Sequence, residues 1–496
     1  MEQLTLEPRT AKAAAGDWTG WIPVGILLLG CGSWSYLSRF FIYGEGHQSR
    51  PIWLFLGIYW IMWAAFAWSL RKIRRGAEIS PAMILAGVLG TRALLLPSGL
   101  IQENDVYRYV LDGQAVWHGE NPFRWTPLER LNGSAQSPLE AASDEAQVVL
   151  SRIGYPSVRT IYPPAAQALF ALGASWGGWD WRGQRLVFLV LDLLAAGLLV
   201  LLLRRLGLPD AWVIVYAWNP LVLKEITNSC HLDVAVAGLL TALLLLLICP
   251  GTGWLGSAVL PGLLVALAGL AKWYPLILAP PLAAWLGRRR GIGAAALFLG
   301  VAAFGTLLGW LPWLAVGWSR TMEGLLLFAA HWRMNQGIFD LLEMFGGHGR
   351  WLAAALSVGA ALVAAYRVWA HGCDVVRAVV LVLAIWFLVL PTPFPWYAVP
   401  LVACAAAEPT AAGFVLALSG ALPLYYLSFW TEYHGIADHW WAAVRALEHI
   451  VLWGGLLAAF RRPTAAAGAL GGRGIRRSVL PGGLHPKGSQ QQPPPS

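Results

Sequence analysis

The chain has 496 residues, of which 57% are hydrophobic and only 12% are charged, and its mean hydropathy is +0.58. Soluble domains carry about 25% charged residues, so this composition excludes an ordinary soluble protein. The net charge of +9 invites a nucleic-acid partner, but much of the excess lies in short loops and the C-terminal tail, where it indicates membrane topology and no nucleic-acid binding. The five cysteines have no paired spacing that would indicate disulfides or a zinc site.

Long apolar runs recur along the chain. They cover residues 21–41, 52–70, 186–203, 234–248 and 291–313. Each run is continuous and rich in Leu and Ala, whereas the strands of a membrane barrel would alternate apolar and polar positions. We therefore predict an all-α fold, a polytopic transmembrane helical bundle of about 12–14 spans, each needing about 20 apolar residues.

Clusters of basic residues mark the predicted cytoplasmic ends of the spans. They are Arg71, Lys72, Arg74 and Arg75; Arg204 and Arg205; Arg288, Arg289 and Arg290; and Arg461 and Arg462. By the positive-inside rule, residues 1–17 form a cytoplasmic N-terminal segment, residues 18–462 a transmembrane domain, and residues 463–496 a disordered, basic cytoplasmic tail. Both termini are then cytoplasmic, and residues 99–185 form a large outer loop with short amphipathic helices.

The first part of this loop carries the most informative motif, residues 102–113, QENDVYRYVLDG. Asn104 or Asp105 is a suitable N-cap, so the motif predicts a short helix over residues 106–117. Asp105, Arg108 and Asp112 share one face of that helix. At its non-helical start, the carboxylates of Glu103 and Asp105 can approach one point, which suits a catalytic base or a divalent cation.

In this interpretation, Arg108 holds one of the acids through a bidentate pair. The alternative that the spacing leaves open is a capped interfacial helix with a surface ion pair, because Glu-x-Asp is a weak pattern.

The acidic pair and the motifs that follow it resemble the bacterial membrane glycosyltransferases of the C superfamily, most closely the polyprenyl-phosphate-mannose-dependent mannosyltransferases. The matching blocks, in order, are Asp105-x-Tyr107-Arg108-Tyr109-x-x-Asp112-Gly113, Gly119-x-Asn121-Pro122-Phe123, Tyr162-Pro163-Pro164 with Gln167, Trp218-Asn219-Pro220-Leu221 through Lys224-Glu225 to His231-x-Asp233, Leu270-Ala271-Lys272-Trp273-Tyr274-Pro275, and Pro393-Phe394-Pro395-Trp396-Tyr397. The subgroup often has adjacent acids, whereas here Asn104 separates Glu103 from Asp105.

The resemblance implies a hexosyltransferase that moves a sugar, mannose first, from a polyprenyl-phosphate donor to an acceptor hydroxyl with inversion. It also implies a bacterial inner membrane, with the site facing the periplasm, and a glycolipid, glycan or protein as acceptor. No cofactor is required by the sequence, and a divalent cation at Glu103 and Asp105 is left open.

The transfer needs a base beside the acceptor hydroxyl and positive charge beside the departing phosphate. We predict Asp105 as the base, assisted by Glu103. The candidate substrate-binding residues are Arg108, Asp112, Tyr162, Gln167, Lys224, His231, Asp233, Lys272, Tyr274, His331 and Arg333. Within the membrane, Arg92 is a candidate for the floor of the site, and Asp192 is read as a structural polar contact.

A transporter or flippase of lipid-linked sugars is the alternative function, because it also needs broken helices and intramembrane charge. Its binding residues would lie near the bilayer midplane in paired halves. The polar residues here are predicted at the outer interface, and the sequence shows no matching halves.

Overall fold

The structure is a computed structural model that describes residues 18–461 apart from Glu45, Gln136, Pro138, residues 140–142, residues 250–252 and Ala437. The predicted N-terminal segment 1–17 and the predicted tail 463–496 lie outside the described residues. Within these ranges the chain is helical and contains no strand, which confirms the all-α prediction.

The α-helices precede, lie within and follow residues 99–185, the loop that the sequence predicts to lie outside. The first group is Trp21–Leu37, Ile52–Arg74 and Pro81–Leu95. The loop holds Asp105–Trp117, Pro127–Leu131, Asp144–Ser151 and Pro164–Gly177. The remainder are Arg182–Arg205, Ile214–Ala217, Pro220–Val222, Asp233–Ile248, Leu260–Ala271, Ala279–Arg290, Ile292–Trp310, Trp318–His331, Ile338–Glu343, Gly349–His371, Val375–Val389, Val399–Ala406, Ala412–Ala421, Leu427–Tyr433 and Asp438–Phe460.

Among the described residues, seven helices are long and apolar enough to cross a membrane, or eight if the bent pair Pro220–Asn228 and Asp233–Ile248 forms one broken span. Shorter apolar helices are Pro81–Leu95, Leu255–Ala271, Val375–Val389 and Pro395–Ala405. The chain is therefore a multi-pass membrane protein. The total of about 12–14 spans stays a prediction, because it depends on which of the shorter helices cross the about 30 Å of hydrocarbon.

The predicted loop helix is present as Asp105–Trp117, with Asn104 at the N-cap position. The Asn104 side chain makes no capping hydrogen bond. Instead, the Glu103 carboxylate accepts hydrogen bonds from the backbone N–H groups of Asn104 and Asp105, each 2.8 Å long. The acid before the helix thus satisfies donors that the helix start leaves open.

The loop helix packs closely on the helix Pro164–Gly177. A Cβ atom on Gly113 would lie 2.2 Å from the carbonyl oxygen of Phe170, so only glycine allows this approach. One turn earlier, Tyr109 stacks on the Phe170 ring at 4.4 Å. These contacts fix the direction from which Asp105 enters the site.

The segment before the acidic motif is tied to the far end of a broken helix. Asn228 donates hydrogen bonds from its side chain to Ser98 and to the carbonyl of Gly99, and its side-chain oxygen accepts from the N–H of Ile101. Arg185 donates to the carbonyls of Leu96 and Asn228 at 2.9 and 2.7 Å. Glu103 is thereby brought next to residues that follow Asn228.

Arg92 and Asp192 form a buried ion pair between two helices, with 2.9 Å between the Arg92 Nε atom and a carboxylate oxygen. Tyr216 donates a hydrogen bond of 2.7 Å to the same carboxylate. Asp192 is therefore the structural contact that the sequence predicts. Arg92 is the ion-pair partner of Asp192 and does not line the large cavity of the protein, so it does not form the floor of the predicted site.

Candidate functional site

One cavity of about 1510 Å³ gathers polar residues from segments far apart in the sequence. Its charged lining residues include Glu103, Asp105, Arg108, Lys272 and Arg333. Its aromatic lining residues include Tyr155, Tyr162, Trp273, Tyr274, Trp332, Trp351, Trp386, Phe394, Trp396 and Tyr397. Pockets for small ligands usually measure about 300–1,000 Å³, so this cavity has room for more than one sugar.

Glu103 and Asp105 both lie in the wall of this cavity. A carboxylate oxygen of Asp105 lies 3.5 Å from the hydroxyl of Tyr162. Burial, followed by the nearby charge of Glu103, raises the pKa of Asp105 to about 6. Burial also raises the pKa of Glu103, against the opposing effect of Lys224. A carboxyl group with a pKa near neutrality is suited to accept and release a proton.

His231 stands directly behind the acidic pair. Its Nε2 atom lies 2.9 Å from a carboxylate oxygen of Glu103 and 3.4 Å from one of Glu225. Its ring stacks on Trp396, with ring centres 4.0 Å apart and planes 10° apart. His231 is completely buried and Trp396 lines the cavity, so the indole separates the imidazole from the open space.

Glu103, Asp105 and His231 could hold a metal ion between them. One ligand atom from each lies within 4.8 Å of the other two. The Nε2 atom of His231 has no hydrogen-bond partner among the described residues, despite its closeness to two carboxylates. A histidine nitrogen and carboxylate oxygens are ligands that suit several divalent cations.

Lys272 and Asp233 form the cationic side of the site. The Lys272 ammonium lies 2.7 Å from a carboxylate oxygen of Asp233 and 4.2 Å from the centre of the Tyr397 ring. Lys272 lines the cavity, whereas Asp233 is completely buried behind it. Tyr274 also lines the cavity and stacks on Trp386 at 4.0 Å. The predicted residues Asp105, His231 and Lys272 lie in one cluster, since both His231 and Lys272 are close enough to Asp105 to act on its charge.

Lys224 is placed differently from a residue that contacts substrate. It is completely buried and does not line the cavity. Its ammonium donates hydrogen bonds to Ser229 and, at 2.7 Å, to the hydroxyl of Tyr426, which in turn donates to Glu225 at 2.7 Å. The reason is local: residues Leu223–Asn228 form a π-helix whose side chains all point into the protein. Lys224 is a buried countercharge to the acids.

The predicted bidentate pair of Arg108 is not formed. Its guanidinium instead donates to the carbonyls of Tyr155 and Val158, at 3.4 and 2.9 Å, although Arg108 does line the cavity. Asp112 is buried and accepts hydrogen bonds from Thr160 and, at 3.2 Å, from Gln167. Asp112 and Gln167 do not line the cavity, and their hydrogen bonds to each other and to Thr160 join the loop helix to the segment before the helix Pro164–Gly177.

The last two candidates, Arg333 and His331, differ in their relation to the cavity. Arg333 lines the cavity and lies 3.4 Å from Asp340 and 3.7 Å from Glu343. His331 is exposed, its Nδ1 atom lies 3.2 Å from the carbonyl of Leu327, and it is not among the lining residues. Arg333 therefore remains a candidate substrate-binding residue, whereas His331 does not line the cavity.

Sequence reasoning assigned no role to Glu225, Trp396 and Tyr426, which complete the buried side of the site. Glu225 and Trp396 belong to the motif blocks that resemble the membrane glycosyltransferases, next to Lys224 and Tyr397. Their place in these blocks is the one feature of the sequence that could have indicated a role in the site. Tyr426 stands in an apolar helix end with no pattern of its own, so its contact with Glu225 appears only in three dimensions.

No protein-family model and no curated protein matches the chain. Among solved structures, the chain is similar to the crystal structure of ArnT from Cupriavidus metallidurans in the apo state, with 16% identity over 76% of this chain and 75% of that chain, at a TM-score of 0.42. The same protein bound to undecaprenyl phosphate matches with 15% identity over 76% of both chains, at a TM-score of 0.41. These values are too low to assign the chain a family or an activity.

Proposed function

We propose that the chain is a membrane glycosyltransferase that moves a hexose from a polyprenyl-phosphate donor to an acceptor hydroxyl, with inversion and with Asp105 as the base. One observation carries this proposal: a carboxylate of raised pKa and the ammonium of Lys272 face the same large cavity in a multi-pass membrane protein. The ordered motif blocks shared with the membrane glycosyltransferases of the C superfamily support the same reaction.

The reaction uses both charges. Asp105 accepts the proton of the acceptor hydroxyl as its oxygen attacks the anomeric carbon of the sugar. The bond from that carbon to the phosphate oxygen breaks, and the polyprenyl phosphate departs with the electron pair. Lys272 and Arg333 face the cavity and can stabilise the negative charge that develops on the phosphate. Attack opposite to the departing group inverts the anomeric centre.

A divalent cation held by Glu103 and His231 would add positive charge beside the same reaction. Four carboxylates, those of Glu103, Asp105, Glu225 and Asp233, are opposed here by the ammonium groups of Lys224 and Lys272. A divalent cation would offset the negative charge that these carboxylates carry when they are ionised. Unbalanced charge is costly where water is scarce.

The cavity opens towards apolar surface, which suits a lipid-linked substrate. Trp351 and Val358 line the cavity from the membrane helix Gly349–His371, and they are 78% and 51% exposed. Leu326, on the helix Trp318–His331, also lines it and is 61% exposed. A polyprenyl chain can therefore lie against these helices while its phosphate reaches Lys272.

The ends of one span support a non-cytoplasmic position for the chemistry. The helix Ile52–Arg74 begins just after Arg50, which lines the cavity, and its last turn carries Arg71, Lys72 and Arg74. Its 23 residues extend about 35 Å at about 1.5 Å per residue, so cavity and basic cluster lie at opposite ends. By the positive-inside rule, this arrangement supports a cavity at the non-cytoplasmic face, which in the family that the sequence resembles is the periplasmic face of a bacterial inner membrane.

The donor sugar is proposed as mannose by the resemblance, and the acceptor as a hydroxyl of a glycolipid, glycan or protein. The test incubates the purified protein in vesicles with radiolabelled polyprenyl-phosphate mannose, the glucose and galactose analogues, and a membrane lipid extract. We expect label in an acceptor product from at least one hexose donor. Label that only crosses the bilayer on its original lipid would instead support a transporter.

A further inference from the structure

Residues 332–337, here called the Arg333 loop, connect the helices Trp318–His331 and Ile338–Glu343 at the rim of the cavity. Arg333 and Met334 both line the cavity. The loop contains Asn335 in the left-handed backbone region, with φ of 57°, and Asn335 is almost completely buried at 1% exposure. Asparagine tolerates this backbone region, and the polar groups of a buried asparagine need hydrogen-bond partners from the surrounding structure.

The contacts come largely from one face of the last membrane helix, Asp438–Phe460. Glu448 accepts a hydrogen bond of 2.6 Å from the side-chain amide of Asn335, and the Nε2 atom of His449 lies 2.9 Å from the Asn335 carbonyl. Arg445 donates to the carbonyl of Gln336 at 3.1 Å. Residues 445, 448 and 449 lie three and four positions apart, so they share a helix face.

Gly337 shows how tightly this face meets the loop. A Cβ atom on Gly337 would lie 2.1 Å from the His449 ring. On the other side of the loop, the N–H of Met334 donates to the carbonyl of Pro391 at 3.0 Å. Residues 334–337 are therefore each held, and Arg333 projects from the fixed end of this run.

Packing alone does not explain a glutamate at position 448, because burying its carboxyl group lowers the stability of the fold. It is completely buried, and its second carboxylate oxygen has no hydrogen-bond partner among the described residues. A buried carboxyl group without full partners lowers stability, and an apolar side chain would pack there at less cost. Its contact with Asn335 is specific in geometry, which packing does not require.

We propose that Arg445, Glu448 and His449 form a clamp that positions Arg333 in the cavity, where it binds the phosphate of the lipid donor. These three are positioning residues: they act through the Arg333 loop. The inference rests on the proposed function, since it takes a polyprenyl phosphate as the ligand that Arg333 meets.

The test measures binding of a fluorescent polyprenyl phosphate to the full protein in nanodiscs. We expect Glu448→Ala to weaken binding about tenfold, as Arg333→Ala does, and the double variant to be no weaker than Arg333→Ala, because both changes remove one interaction. Glu448→Gln keeps an oxygen for Asn335 and should bind like wild type. Leu447→Ala, at a neighbouring position that is 57% exposed, is the matched control and should also bind like wild type.

Hydrogen exchange at the Met334 amide provides a second measurement without ligand. The clamp predicts faster exchange in Glu448→Ala than in wild type and in Leu447→Ala. Unchanged exchange, or additive binding losses in the double variant, overturns the clamp. If the wild type binds no polyprenyl phosphate, the proposed donor fails, while the exchange measurement still decides whether Glu448 holds the loop.

Discussion

The Nε2 atom of His231 and a carboxylate oxygen of Glu103 lie 2.9 Å apart, yet the nitrogen has no partner in hydrogen-bond geometry among the described residues. Two ligands of one divalent cation approach each other this closely, because each lies about 2.0–2.6 Å from the ion. The relationship joins the acidic motif at residues 103–105 to the turn between Pro220–Asn228 and Asp233–Ile248, which is distant in sequence.

We expect a divalent cation to stabilise the protein through this pair. Thermal unfolding of the solubilised protein should shift upward on adding Mn²⁺, Mg²⁺ or Zn²⁺ and downward with a chelator, since a ligand at a hundred times its Kd adds about 2.7 kcal/mol. The shift should vanish in Glu103→Gln and in His231→Gln. The control Glu145→Gln, in the exposed first turn of a loop helix, should keep it. An equal shift in all variants would place the cation elsewhere.

Lys272 should serve both stability and transfer, and the two effects can be separated. Lys272→Met leaves the buried Asp233 carboxylate without its partner, which should lower the free energy of unfolding by about 3–5 kcal/mol. It should also lower kcat about 10²–10³-fold through loss of charge beside the phosphate. The double variant Lys272→Met/Asp233→Asn should recover stability but not kcat.

Recovery of kcat together with stability in that double variant would show that Lys272 supports only the fold. Unfolding by denaturant and single-turnover transfer give the two quantities separately.

The Arg92–Asp192 pair should matter for stability alone. Asp192→Asn leaves the Arg92 charge buried without a full partner, so we expect a loss of about 3–5 kcal/mol in unfolding free energy. Replacing both residues by apolar ones, as in Arg92→Met/Asp192→Leu, should recover most of it. Because the pair does not line the cavity, transfer per folded molecule should match wild type. Reduced transfer by a stable double variant would show that Arg92 also contributes to the transfer reaction.

The local features of the site could be predicted from the sequence. The helix that begins at Asp105 follows from the spacing of its own residues, and the meeting of the Glu103 and Asp105 carboxylates follows from their position at its start. The hydrophobic runs predict membrane helices because length and composition alone decide whether a helix can cross a bilayer.

Partners supplied by tertiary packing could not be predicted. Arg108 donates hydrogen bonds to carbonyls of a segment whose path depends on the fold of all of residues 99–185. The sequence predicts Lys224 as a substrate-binding residue, but the π-helix Leu223–Asn228 turns its side chain inward towards Tyr426. In the sequence, Glu448 is only an acidic residue in an apolar helix, and the hydrogen bond that it accepts from Asn335 is visible only in the fold.

Asp105→Asn tests the central claim most directly, because it removes the proposed base while keeping the size of the side chain. The measurement is transfer of labelled hexose from polyprenyl phosphate by purified protein in vesicles, beside donor binding by the same preparation. We predict a loss of about 10²–10⁴-fold in transfer with donor binding retained, while Asp144→Asn, in the exposed first turn of a loop helix, transfers like wild type. Equal transfer by Asp105→Asn and wild type would contradict the assignment of Asp105 as the base.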